Sequence, residues 1–205
     1  MRVKKLHYFS GIVIFSFVVL HLLNHATSVF GAEQHIAAMK CLRVVYRNLF
    51  VETLLLAVVF VQIFSGMRLF CNGRKYVNTF FEKLQIWSGL YLAIFLLIHL
   101  SAVLGGRWVL QLDTNFYFGV AGLNTFPLNL FFIPYYGLAV LSFFVHIAAI
   151  HQLKMKHSVF GLTSTAQSKF ILCFGLLFML FLFYGLTNHF HGVEIPAAYG
   201  VLIGK

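Results

Sequence analysis

The sequence predicts an all-α integral membrane protein in which five transmembrane helices form one bundle over residues 1–205. Hydrophobic residues make up 60% of the chain and charged residues only 10%, unlike the composition of a soluble domain. The apolar residues fall into five segments of about 20 residues, the length that a helix needs to cross the hydrocarbon. Each segment is apolar on every face, whereas the strands of a membrane barrel alternate polar and apolar residues.

The predicted spans are 8–29, 51–71, 85–104, 128–152 and 169–190. The first apolar run is too long for the core of a cleaved signal peptide, so we expect this span to be retained. Pro134 lies inside the fourth span and is expected to kink it. Residues 31–50 are predicted to form an interfacial helix, and the aromatic connection 105–127 is predicted to fold over the outer mouth of the bundle.

The basic residues predict that the N-terminus lies inside and the C-terminus outside. This orientation follows the positive-inside rule and explains the formal net charge of +10 without a nucleic-acid partner. We expect a lipid bilayer as the environment, specifically the bacterial inner (cytoplasmic) membrane. The basic residues at the predicted inner breaks are Arg2, Lys4, Lys5, Arg68, Arg74, Lys75, Lys83, Lys154, Lys156 and Lys169.

A repeated motif carries the functional prediction. Ser10–Gly11 is followed by nine residues and then His21, and Ser88–Gly89 is followed by nine residues and then His99. Ionisable side chains inside a membrane are costly and usually functional. The two histidines lie at similar depth in parallel spans, and first and third helices of a bundle tend to be diagonal. Two such imidazoles can be the axial ligands of a haem iron, although interhelical hydrogen bonding is the alternative.

Further candidates lie near this pair. His25 is one helical turn beyond His21, where it could bind a haem propionate or replace His21 as ligand. Ser10 and Ser88 share the faces of their histidines; close helix packing is the favoured role and a polar ligand contact the alternative. His146 lies in the inner half of the fourth span, and its repeat partner in the second span is Gln62.

The remaining polar candidates receive little functional weight. The cysteines Cys41, Cys71 and Cys173 are far apart and match neither a disulfide framework nor a zinc site. Histidines near the predicted membrane surfaces are expected to be solvated. These are His7, His35, His151, His157, His189 and His191.

The Ser–Gly–x9–His motif in two parallel spans, with Pro134–x11–His146 in a later one, resembles a known family. It is similar to the five-helix cytochrome b subunit of dihaem succinate dehydrogenases and fumarate reductases. The resemblance implies that His21 and His99 are the axial ligands of one haem b. It implies that His146 is one ligand of a second haem, whose other ligand position is occupied here by Gln62. We therefore expect one haem.

The resemblance also implies the function. A protein of this kind carries electrons between a haem b and a quinone, and it anchors a peripheral iron–sulfur and flavoprotein module. It is an electron-transfer subunit more than a catalyst by itself, and no catalytic residue is assigned. Two alternatives stay open: a stand-alone monohaem cytochrome with another redox partner, and a haem-free membrane scaffold or lipid-interacting protein.

Overall fold

The computed structural model describes residues 2–205, which form helices and no β-strand. Five of the helices are long and apolar enough to span a membrane. The predicted fold class, an all-α integral membrane bundle, is therefore confirmed. The α-helices are α1 (Arg2–Ala26), α2 (Ala32–Tyr46), α3 (Leu49–Gly73), α4 (Phe80–Trp108), α5 (Phe116–Val120), α6 (Asn129–Lys154) and α7 (Ser164–Leu186).

Local sequence signals set the helix ends. Thr79 and Glu82 form a capping box at the start of α4, which satisfies two backbone N–H groups reciprocally. The helix α7 ends at Leu186, before the predicted bound of 190, because the chain turns left-handed at 188–190, where φ is 50°, 57° and 66°. The helix α6 continues through Pro134.

The five long helices form a closed ring. Contacts join α1 to α3, α3 to α4, α4 to α6, α6 to α7, and α7 back to α1. The helices α1 and α4 are therefore not neighbours in the ring and face each other across its centre. Between them lies a cavity of about 1260 Å³, lined by Lys4 and Lys154 at one end and by Arg43 and Thr114 at the other. We call these the N-terminal end and the α2 end.

The α2 end is covered by the connections between the long helices. Residues 31–50 contain α2, and residues 105–127 contain α5, whose Phe116 and Val120 are 3% and 1% exposed. The C-terminal tail adds a 3₁₀ turn, Ala197–Ile203, in which the Tyr199 hydroxyl donates to the Asp113 carbonyl at 3.0 Å. The helix predicted within residues 31–50 is thus present, and the tail, about which the sequence says little, contributes to the same cover.

The outer surface of the bundle is suited to lipid. Between 11% and 17% of the most apolar window of each long helix is buried within the protein, so most of its apolar side chains face outwards. Small residues line the contact between α6 and α7: Ala148 and Ala149 are fully buried, and the buried Ser168 hydroxyl donates to the Ala148 carbonyl at 3.1 Å. Small residues at helix contacts and apolar side chains outside are typical of membrane bundles.

Candidate functional site: a cavity lined by histidines

The helices α1 and α4 bring His21 and His99 together inside the cavity. Their ring centroids are 6.2 Å apart and the ring planes are inclined by 68°. Since an imidazole nitrogen lies about 2 Å from a bound metal, two rings on opposite sides of one metal ion have centroids about 6 Å apart. The separation of the two rings therefore matches that of a pair of axial ligands.

Each of these histidines stacks on a phenylalanine of its own helix. Phe17 lies parallel to His21 with 5.8 Å between ring centroids, and Phe95 lies parallel to His99 at 5.2 Å. Both phenylalanines stand four residues before their histidine, at the same position of the repeat. The sequence reasoning missed this pair, although the repeat contains the signal. Stacking restricts the orientation of both imidazoles.

Two more histidines extend the pair towards the α2 end. The Nε2 atoms of His21 and His25 are 3.1 Å apart, and His25 Nδ1 is 3.3 Å from His35 Nε2. Asn24 Nδ2 donates to the same His35 nitrogen at 3.3 Å. We call His99, His21, His25 and His35 the histidine ladder. It connects the centre of the cavity with α2.

The prediction that His35 is solvated is wrong. His35 is 1% exposed, because α2 turns one face inwards and buries His35 together with Met39, four residues later. Burial lowers the pKa of His35 to about 4, and the positive charge of Arg43 acts in the same direction. His35 is therefore a neutral part of the site at pH 7. The i, i+4 spacing of His35 and Met39 is the only sequence signal for this burial.

The histidine ladder ends in unpaired polar atoms. Within residues 2–205, His35 Nδ1 and Asn24 Oδ1 are buried without a hydrogen-bond partner. Buried polar atoms of native proteins almost always have a partner, either protein or water. These two atoms therefore mark a place where a ligand group or a water completes the network.

Three arginines line the cavity at the α2 end. Arg107 forms an ion pair with Glu52, and Arg43 donates to Asp113 at 2.7 Å. Arg47 has no carboxylate partner within residues 2–205 and donates to the Thr114 hydroxyl at 2.8 Å. Burial lowers the pKa of Arg47, and the charges of Arg43 and Arg107 lower it further. This end of the cavity is therefore short of negative charge.

At the N-terminal end, the two Ser–Gly pairs meet matching side chains. The Ser10 hydroxyl donates to Gln62 Oε1, and the Ser88 hydroxyl lies 3.1 Å from His146 Nδ1. A methyl group at Gly11 would lie 3.4 Å from Gln62 Nε2, and one at Gly89 would lie 3.0 Å from His146 Cε1. Gln62 and His146 thus occupy equivalent places. Close packing of neighbouring helices, the favoured reading of the Ser–Gly pairs, describes both contacts.

His146 is held in one tautomer. Its Nδ1 atom is 3.0 Å from the Gln85 carbonyl, and a carbonyl oxygen only accepts hydrogen bonds, so Nδ1 carries the proton. The Nε2 atom then holds the lone pair, and it has no hydrogen-bond partner within residues 2–205 although His146 lines the cavity. Such a hydrogen bond from the second ring nitrogen is the usual way in which proteins orient a ligating histidine.

His7 also departs from the prediction that it is solvated. Its Nδ1 atom donates to the Ser65 hydroxyl at 3.0 Å, and its Nε2 atom is 3.3 Å from the Gln62 amide nitrogen. The contact depends on the relative height of α1 and α3, which the sequence does not give. His151 bonds Gln167 Oε1 at 2.8 Å, whereas the other predicted surface histidines are exposed: His157, His189 and His191.

Within residues 2–205, no group of three or more His, Cys, Asp or Glu side chains is arranged to hold a metal ion. Haem iron differs from such sites because it takes at most two axial ligands from the protein. No family model, no curated protein and no solved structure matches the chain. What the chain does is therefore inferred from the side chains that line its cavity.

Proposed function

We propose that the chain is a membrane b-type cytochrome that binds one haem b between α1 and α4 and exchanges electrons with a quinone. The observation that carries this proposal is the apposition of His21 and His99, with ring centroids 6.2 Å apart inside a membrane bundle. The two imidazoles would be the axial ligands. The similarity of the repeated Ser–Gly–x9–His motif to dihaem succinate dehydrogenase and fumarate reductase anchors supports the same assignment.

The cavity residues are compatible with a haem. The cavity has a volume of about 1260 Å³, which exceeds the range of about 300–1,000 Å³ that is common for small-molecule sites. His21 Nε2 now bonds His25 Nε2, so iron binding at this nitrogen would replace one hydrogen bond. His25 would retain its contact with His35, and it is the alternative ligand on α1. A bound haem would supply a one-electron redox couple in the membrane.

The charge at the α2 end is also compatible with this cofactor. Haem carries two propionates, and carboxylates pair well with the planar fork of a guanidinium group. Arg43 and Arg107 already have carboxylate partners, whereas Arg47 has only the Thr114 hydroxyl. Arg47 would therefore bind a propionate and thereby fix the haem with its polar edge towards α2.

One haem is proposed because the second ligand position is occupied by an amide. The Gln62 side chain accepts from Ser10 and contacts His7, so α3 offers no imidazole opposite His146 there. A complete relay of two haems to a peripheral iron–sulfur and flavoprotein module is then interrupted. This favours the second candidate, a stand-alone monohaem cytochrome with another redox partner. In both cases we place the protein in the bacterial inner membrane.

Optical spectroscopy tests the proposal. The purified protein from haem-replete cells is expected to give a b-type reduced-minus-oxidised spectrum of low-spin iron. Replacing both His21 and His99 by alanine should abolish this signal, because the iron loses its axial ligands. His157→Ala, at an exposed histidine, is the matched control and should leave the spectrum unchanged. Absence of a b-type signal, or its persistence in the double variant, would overturn the proposal and favour a haem-free scaffold.

A further inference from the structure

The N-terminal end of the cavity contains a second polar site that the axial pair does not use. We propose that this site binds the headgroup of a membrane quinol, with His146 as hydrogen-bond acceptor and Gln62 as hydrogen-bond donor. The inference rests on the proposed function for the class of ligand, a quinone couple. It adds the location and the residues, which that proposal leaves open.

The first argument is the free lone pair of His146. Its Nδ1 proton is committed to the Gln85 carbonyl at 3.0 Å, so Nε2 can only accept. This atom has no partner within residues 2–205 although the residue lines the cavity. A ligand that satisfies it must bring an O–H or N–H donor into an apolar interior. A hydroxyl of a quinol is such a donor, whereas the oxidised quinone has only carbonyl acceptors.

The second argument is the Gln62 amide. Its oxygen accepts from Ser10, and its nitrogen lies 3.3 Å from His7 Nε2. His7 Nδ1 bonds Ser65 Oγ, which itself donates to the Val61 carbonyl; His7 Nε2 therefore accepts one of the two amide hydrogens. The other hydrogen remains available for a ligand oxygen. Gln62 lines the cavity, so this hydrogen can meet a ligand there.

The third argument favours a hydrogen-bonded ligand over iron as the occupant of this site. A second haem needs two nitrogen lone pairs on opposite sides of the metal. His146 offers one, but the amide nitrogen of Gln62 has none to give, and the lone pair of His7 Nε2 accepts from that amide. The site instead offers one hydrogen-bond acceptor, His146, and one hydrogen-bond donor, Gln62. This pair matches the hydrogen-bonding groups of a hydroxylated aromatic ring. Three glycines, Gly11, Gly66 and Gly89, also line this end of the cavity.

Binding can be measured without electron transfer. The probe is tetramethyl-1,4-benzoquinol, titrated calorimetrically into dithionite-reduced protein in lipid nanodiscs. Its dimethyl ether, which has the same ring and no hydroxyl, is the matched ligand. Wild type is expected to bind the quinol about tenfold more tightly than the ether, as one buried hydrogen bond predicts. His146→Phe and the smaller polar His146→Asn should lose this preference, while His157→Phe should keep it.

Three results would overturn the proposal. The first is an equal affinity of the wild-type protein for quinol and ether. This measurement uses no variant, so it does not depend on how a variant folds. An unchanged preference in folded His146→Asn would show that another residue accepts the hydroxyl. Loss of a haem from His146→Phe would make His146 an iron ligand. The wild-type protein could also lack haem and still bind the quinol more tightly than the ether, with this preference lost in the His146 variants. That result would overturn the proposed cytochrome but support the quinol site.

Discussion

At the scale of single residues, Arg47 is the most informative side chain of the haem proposal. It is partly buried, it lies near the charges of Arg43 and Arg107, and it bonds a neutral hydroxyl. A guanidinium group in that setting gains more from a carboxylate than from Thr114, because a carboxylate adds the attraction of opposite charges and can accept two parallel hydrogen bonds. A haem propionate would supply that carboxylate.

Arg47→Gln is therefore expected to weaken haem retention about tenfold or more, since a hydrogen bond to a charged group contributes about 1.5–3 kcal/mol. The midpoint potential should also fall, because removing a nearby positive charge favours the ferric state. Haem release to apomyoglobin and a redox titration measure the two effects. The difference in haem release between variant and wild type should vanish with haem dimethyl ester, which lacks propionate charge.

Lys40 provides the control for Arg47. It is an exposed basic residue of α2 and does not line the cavity, so Lys40→Gln removes the same charge without removing the contact. Haem retention and potential should stay at wild-type values in this variant. An Arg47→Gln protein that releases the natural haem no faster than wild type would exclude Arg47 as the propionate ligand.

At the scale of helices, the two Ser–Gly pairs give a matched comparison. A methyl group at Gly89 would lie 3.0 Å from His146 Cε1, a ring that is fixed by its bond to Gln85, whereas at Gly11 it would lie 3.4 Å from the Gln62 amide, an ordinary contact. Gly89→Ala should therefore destabilise the protein by about 1–3 kcal/mol through overpacking. Gly11→Ala should be neutral or stabilising by about 0.5–1 kcal/mol, as expected inside a helix.

Thermal unfolding of the two variants in the same detergent tests this asymmetry. The expected order of melting temperature is Gly11→Ala at or above wild type, and Gly89→Ala below it. Equal melting temperatures for the two variants would mean that the His146 ring shifts without cost, which contradicts its fixation by the bond to Gln85.

The elements differ in how far the sequence predicts them. The five long helices follow from hydropathy alone, because each must satisfy its own backbone hydrogen bonds in lipid. The repeated Ser–Gly–x9–His motif also leads to the apposition of His21 and His99. The burial of α2 cannot be predicted from the sequence, because a helix that lies on the membrane surface and a helix that closes a bundle show the same amphipathic pattern. The prediction that His35 is solvated fails for this reason.

The contacts at the N-terminal end lie beyond sequence reasoning for another reason. His7 meets Gln62 only because α1 and α3 pack at a particular relative height and rotation. Hydrophobic periodicity fixes which face of a helix is buried but not its displacement along a neighbour. The repeat indicates the equivalence of Gln62 and His146, whereas the hydrogen bonds that hold each side chain follow only from how the helices pack.

At the scale of the whole molecule, the predicted orientation can be tested with the native cysteines, all of which are free and exposed. Cys41 lies in α2, and Cys71 lies near the end of α3 at the opposite side of the bundle. With the N-terminus inside, a membrane-impermeant maleimide should label Cys41 in intact cells and Cys71 only after permeabilisation. Cys173, within the apolar helix α7, is the internal control and should stay unlabelled, because the reactive thiolate needs water.

Single-cysteine variants separate the three positions. Labelling of Cys71, and not of Cys41, in intact cells would reverse the orientation. The positive-inside interpretation of the basic residues would then be wrong, and the α2 end with its three arginines would face the cytoplasm. The bundle and its cavity would be unaffected, since neither depends on which side is inside.

The number of haem groups per chain tests the central claim most directly. It is measured as the ratio of haem, from the pyridine haemochrome spectrum, to protein, from quantitative amino-acid analysis, in a monodisperse sample from haem-replete cells. We predict a ratio of one, because the proposal uses a single pair of imidazoles, His21 and His99, and because Gln62 is an amide at the position where the resemblance implies a second haem ligand. A ratio of zero would contradict a cytochrome altogether, and a ratio of two would contradict the assignment of that end to a quinol.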